Sequence, residues 1–165
     1  MRAGVGWSGM IVGAALGAAC VSGKSPNGGE TAIPAGSVEA KARLNASPRH
    51  GEWAMIATGA GDSLRSWVVY PERRDKAPVV VVIHEIFGLT PWVRAVADQL
   101  AADGFIAIAP DLMTAKNLPG TPEDGPPSAE ATAAIRTLDP AVVQRQLDAV
   151  AAYGLHCQRR RRSME

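Results

Sequence analysis

His84-Glu85-Ile86-Phe87-Gly88 follows directly on Val79-Val80-Val81-Val82-Ile83, a continuous β-branched run. In α/β sheets, ligands bind in the crevice at the carboxyl ends of strands, so this turn stands where a site would form. A glutamate set among apolar residues there is expected to be desolvated and to hold its proton more tightly. Backbone N–H groups of the same turn can face a developing oxyanion, which is what acyl transfer needs. Taken alone, a glutamate after a strand is more often a solvated loop residue. His84 reads as a packed or hydrogen-bonded turn histidine. Cys20 and Cys157 lie far apart in unrelated contexts, with no CxxC and no metal-ligand spacing. No disulfide framework and no metal site is expected from them.

The elements that must position this turn can be read from periodicity. The valine run marks a strand buried on both faces of a parallel sheet. Trp92, Val93, Val96, Leu100 and Ala101 then repeat at helical spacing, with Thr90-Pro91 as a cap and first helical position. Gly104 ends that helix, and Phe105-Ile106-Ala107-Ile108-Ala109 begins the next buried strand. Strand, helix and strand form a βαβ unit with a right-handed crossover. Upstream, Glu52 to Thr58 and Leu64 to Tyr70 flank the turn Gly59-Ala60-Gly61-Asp62 and predict an antiparallel hairpin. Downstream, Thr114 to Ser128 reads as a surface loop. Ala129 to Leu138 predicts a short helix, and Pro140 to Tyr153 a longer one with an apolar face at Val142, Val143, Leu147 and Val150. Trp53, Trp67 and Trp92 read as core or pocket-edge aromatics.

Hydrophobic residues make up 47% of the 165-residue chain, which bounds it to one globular domain. A net charge of +1 gives no case for a nucleic-acid partner, and four arginines from Arg159 to Arg162 are a weak basic signal. Arg2, the apolar run Met10 to Leu16 and the small residues Gly17-Ala18-Ala19 predict a signal peptide cleaved before Cys20. The expected location is therefore exported: periplasmic, secreted or lipid-anchored in a bacterial source. Cys20 after Leu-Gly-Ala-Ala is similar to a lipoprotein box, although leucine sits one position further from the cysteine than that pattern prefers. An ordinary small-residue cleavage site stays open beside it, and membrane association is expected only if Cys20 is lipidated. Val21 to about Arg49, rich in Gly, Ser, Pro, Ala and Asn, predicts a flexible linker.

From Ala77 to Leu112 the chain resembles the opening half of a dienelactone hydrolase, a branch of the α/β-hydrolases. The resemblance is carried by Glu85-Ile86-Phe87-Gly88 after a valine strand, followed by Ala109-Pro110-Asp111-Leu112. It implies an incomplete α/β-hydrolase fold, with the hairpin and the βαβ unit as its opening part. It also implies hydrolysis of a small ester or lactone without metal or organic cofactor. By position, Glu85 would help form the thiolate of a nucleophilic cysteine and Ile86 would donate its N–H to the oxyanion. Phe87 and Gly88 would shape the turn, and Asp111 would be a structural loop residue near the pocket.

The chain also departs from that family. A nucleophile elbow, G-x-C-x-G or G-x-S-x-G, does not occur in it, and neither do the later aspartate and histidine. The segment from His156 to Glu165 has no apolar strand and no hydrophobic period. It reads as an unrelated basic tail, with Cys157 an incidental thiol in it. A frame shift in the coding sequence is the expected origin, an idea that an uninterrupted frame on resequencing would sink. The expected organisation is a signal peptide at 1–19, a linker at 20–50, a truncated family domain at 51–155 and the tail at 156–165. An unpaired sheet edge follows from truncation, and with it a tendency to aggregate. The alternative is an exported module that binds but is catalytically inactive.

Overall fold

A computed structural model describes residues 36–162 other than Ala60 and Arg74. The expected signal peptide, Cys20 and most of the expected linker lie outside the described residues. All described residues belong to one compact unit within Thr31–Glu165. Its elements are helix α1 (Ser37–Ala46), strands β1 (Gly51–Gly59), β2 (Asp62–Val69) and β3 (Val79–Val81), helix α2 (Pro91–Ala102), strand β4 (Ile106–Pro110), and helices α3 (Ser128–Ile135) and α4 (Pro140–Arg162). The sheet order is β1-β2-β4-β3. β1 and β2 form an antiparallel hairpin, β2 pairs antiparallel with β4, and β3 runs parallel to β4. The α/β class, the hairpin and the βαβ unit are therefore as expected. No described helix is long and apolar enough to cross a membrane.

Two layers of core flank the sheet, and β4 shows why. Its side chains alternate by strand period: Ile106 and Ile108 join Ile56, Leu64, Val68 and Val150 on the α4 side. Ala107 and Ala109 join Val69, Leu89, Val93 and Ala97 on the α2 side. Small residues on the second face let α2 lie close to the sheet. On the first face, Gly154 does the same for α4, since a Cβ there would stand 2.6 Å from Val79 Cγ1 and 3.0 Å from Ile108 Cδ1.

Three expectations are corrected. The valine run is strand only over Val79–Val81 and half-buried, because β3 pairs with β4 on one side and with no described strand on the other. The Val82 N–H still reaches Ile108 O at 2.8 Å, but Ile83 is 58% exposed. The strand buried throughout is β4. Secondly, the last part of the expected linker is helix α1. It lacks an apolar stripe and is held instead by buried Ala40 and by polar bonds to α2 from Arg43, Ser47 and Arg49. Thirdly, α4 runs to Arg162, well past Tyr153. Gln158 Nε2 donates to Ala77 O at 2.7 Å. Cys157, 7% exposed, packs in the core rather than lying in a loose tail.

Around Cys157 the phenols are shifted. Burial, then the 2.9 Å bond donated to Glu52 Oε1, pushes the Tyr70 hydroxyl far above its ordinary range, and burial also raises Tyr153. Unfolded phenols ionise near pH 10, so this contribution is fully present below about pH 10 and lost as pH rises further. Denaturation midpoints are expected to fall beyond about pH 10, and Tyr70→Phe is expected to flatten that fall. An unchanged alkaline slope in the variant would contradict the assignment.

Candidate active site

After β3 the chain enters a turn closed by Gly88 N–H donating to Glu85 O at 3.2 Å. Gly88 has φ +80, the left-handed region that favours glycine, and a Cβ there would meet the flexible end of Met113 and, at 3.2 Å, Pro126 Cγ. Thr90 then starts α2: its Oγ1 accepts Val93 N–H at 3.4 Å, and Pro91 takes the first helical position. Strand end and helix start thus hold the Glu85–Gly88 turn from both sides.

Within the turn, Phe87 N–H donates to Glu85 Oε2 at 3.0 Å. The Ile86 N–H has no hydrogen-bond partner among the described residues. One donor is therefore committed to the carboxylate, and its neighbour is unpaired among the described residues. The expected desolvation of Glu85 is not found. Glu85 is exposed, and so are Ile86 and Phe87 at 49% and 42%. The reason is the edge position of β3, which leaves this turn uncovered on one side. His84, by contrast, is buried and hydrogen-bonded, as a turn histidine should be.

A second turn lies beside the first. Buried Asp111 accepts Arg65 Nη2 at 2.7 Å on Oδ2 and Met113 N–H at 3.2 Å on Oδ1. Its carbonyl accepts the Thr114 hydroxyl at 2.6 Å. These bonds shape one wall of a cavity of about 340 Å³ lined by Met55, Arg65, Asp111, Met113, Leu118 and Pro126 among others. Met113 and Pro126 are also the side chains against Gly88, so cavity and Glu85 turn share a wall. Arg65 and Asp111 neutralise each other at this wall. Nothing local in the sequence marks Arg65, because its partner is 46 residues away and only the pairing of β2 with β4 brings them together.

Aromatics support that wall. Trp53 and Trp67 meet edge-on with centroids 5.1 Å apart. The Arg65 guanidinium lies 5.5 Å from the Trp53 centroid, and that of Arg94 lies 5.4 Å from both rings. Burial pulls the Arg94 guanidinium below its ordinary value. Its Nη2 donates to the Glu123 carbonyl, which pins the loop beyond the cavity.

Cys157 does not join this arrangement. It packs beside Ala77, before β3, whereas Glu85 follows β3. The two are separated by a length of extended chain on the order of 20 Å. Among the described residues, no group of three or more His, Cys, Asp or Glu side chains is placed to hold a metal ion.

Comparison with known proteins adds to this geometry. A Salmonella typhi protein provisionally named carboxymethylenebutenolidase is 34% identical over 89 residues, covering 50% of this chain and 33% of that protein. An Escherichia coli K12 protein provisionally named a hydrolase fragment is 41% identical over 64 residues, covering 38% of this chain and 55% of the relative. The chain thus spans about a third of the length of the Salmonella relative. The crystal structure of a Klebsiella pneumoniae protein provisionally named dienelactone hydrolase superposes with a TM-score of 0.53 at 23% identity. That superposition covers 66% of this chain and 44% of the other, and it carries the fold alone. The sequence model of the dienelactone hydrolase family matches residues 64–162, from β2 through the end of α4. Residues 64–162 hold the Glu85–Gly88 turn, the Asp111 turn and the sheet between them, and the chain belongs to the dienelactone hydrolase family.

Proposed function

We propose that this chain serves hydrolysis of small carboxylic esters or lactones, and that Glu85 and the Ile86 N–H are its share of the reacting site. In this reading the ester carbonyl lies over the Glu85–Gly88 turn. A thiol from outside the described residues gives its proton to the Glu85 carboxylate and adds as thiolate to the carbonyl carbon; the Ile86 N–H holds the oxyanion until the alcohol leaves with a proton, and water then releases the acid from the thioester. The observation that carries the reading is an exposed carboxylate beside a backbone donor unpaired among the described residues, on adjacent residues of one turn. The neutralised Arg65–Asp111 wall next to it suits an uncharged acyl or alcohol portion.

A second reading is binding without turnover. It is favoured by the placement of Cys157, which packs before β3 and away from Glu85. Hydrolysis of p-nitrophenyl acetate by the chain and by Glu85→Gln separates the two. The hydrolase reading expects turnover that drops by about 100-fold in the variant, the range of an acid–base group. Release of p-nitrophenol no faster than in buffer sinks it and leaves binding.

A further inference from the structure

We propose that His84 is a positioning residue, which fixes the plane of the Glu85–Ile86 peptide and so aims the Ile86 N–H at the ester carbonyl. The inference rests on the oxyanion role given to that N–H above.

The Glu85–Ile86 peptide is trans, as are all the described peptide bonds, so its carbonyl and its N–H point in opposite directions within one plane. Whatever holds the Glu85 oxygen therefore also sets where the Ile86 N–H points. That oxygen is held twice, at 2.9 Å from His84 Nδ1 and at 3.2 Å from Gly88 N. The Gly88 bond is the longer one and belongs to the turn itself; the imidazole supplies the closer contact.

The roles of the two ring nitrogens follow from their partners. A carbonyl oxygen only accepts, so Nδ1 must carry the proton toward Glu85. The Leu112 backbone N–H only donates, so Nε2, 3.1 Å away, must accept. One neutral tautomer meets both demands, and neither the other tautomer nor the imidazolium does. The ring is 5% exposed, which leaves water little part in these bonds. Leu112 follows Asp111, whose carboxylate is tied to Arg65 and Met113. His84 thus joins the Asp111 turn to the peptide between Glu85 and Ile86. It touches no reacting atom and acts through that peptide alone.

Two substitutions separate the two bonds. His84→Asn keeps a side-chain N–H at the level of Nδ1 and loses the reach to Leu112. His84→Gln extends an acceptor to Leu112 and loses the Nδ1 donor. In amide ¹H–¹⁵N spectra, His84→Asn is expected to keep the Ile86 cross-peak near its wild-type position, and His84→Gln to displace or broaden it. Equal Ile86 spectra in both variants, or a wild-type peak in His84→Gln, overturn the proposal. Should the variants not fold, the wild-type ring decides: long-range ¹H–¹⁵N correlations must show the neutral Nδ1–H tautomer, and the Nε2–H tautomer overturns the assignment. These measurements contain no ester, so they fail or succeed independently of the hydrolase reading.

Discussion

Asp98→Ala is expected to lower the unfolding free energy by about 3–5 kcal/mol, the range seen when one partner of a buried ion pair is removed. Asp98 sits on α2 with its side chain almost out of solvent, and its partner Arg49, between α1 and β1, is largely shielded as well. The carboxylate accepts Ser47 Oγ at 2.6 Å and Arg49 Nε at 3.0 Å on Oδ1, and Arg49 Nη2 on Oδ2. The bond to Asp98 is the largest influence on the Arg49 guanidinium and holds it above its ordinary value. Removing the carboxylate leaves that partly buried cation without its hydrogen-bonded counter-charge, with only the weaker influence of Glu72 and Asp103 remaining. It also frees the stretch that joins α1 to β1, because α1 has little apolar surface to hold it on α2. Asp98→Asn keeps an acceptor of the same shape and is expected to cost less. Denaturant midpoints check both; a loss below about 1 kcal/mol for the alanine would place the pair among ordinary surface bridges.

Asp111→Ala is the second large effect, expected at about 3 kcal/mol. Its Arg65 partner is partly exposed and can regain water, which keeps the cost at the low end for a broken pair. The loss has a second component, since Met113 N–H is buried and has Asp111 Oδ1 as its acceptor. The variant is also expected to loosen the cavity wall, because the Arg65 guanidinium and the Met113 N–H, both at that wall, lose the carboxylate that holds them. Thermal unfolding measures the first effect. Near-ultraviolet circular dichroism of Trp53 and Trp67, which stack with Arg65 and Arg94, measures the second. Unchanged aromatic signals together with an unchanged midpoint would contradict the assignment.

What the sequence makes legible here is local. Glu85 to Gly88 is a short turn and Ala109 to Leu112 a strand end running into one, and the residue types of both carry their own conformational demands. The hairpin and α2 were likewise readable, the first from alternation around a glycine turn and the second from period and cap. What failed depended on distant partners. The β-branched run from Val79 to Ile83 has the composition of a central strand, and only the sheet order makes it an edge. That same edge leaves Glu85 in solvent, so a desolvation argument from neighbouring apolar residues could not hold. Helix α1 has linker composition because its anchoring is polar and lies on Asp98 and Gln99, about fifty residues on. The arginine-rich end of α4 has no apolar period of its own, yet arginine is a good helix former and the preceding turns carry the helix through. Arg65 could have been suspected only by pairing it with Asp111 across two strands.

The most direct test of the central claim, that an ester carbonyl is received at the Glu85–Gly88 turn, is an amide ¹H–¹⁵N titration of the chain with γ-butyrolactone. Saturable shifts centred on Ile86 and Phe87 are expected, with smaller ones at Met113 and Leu112. Shifts confined to other parts of the fold, or none at Ile86 at saturating lactone, would contradict that claim.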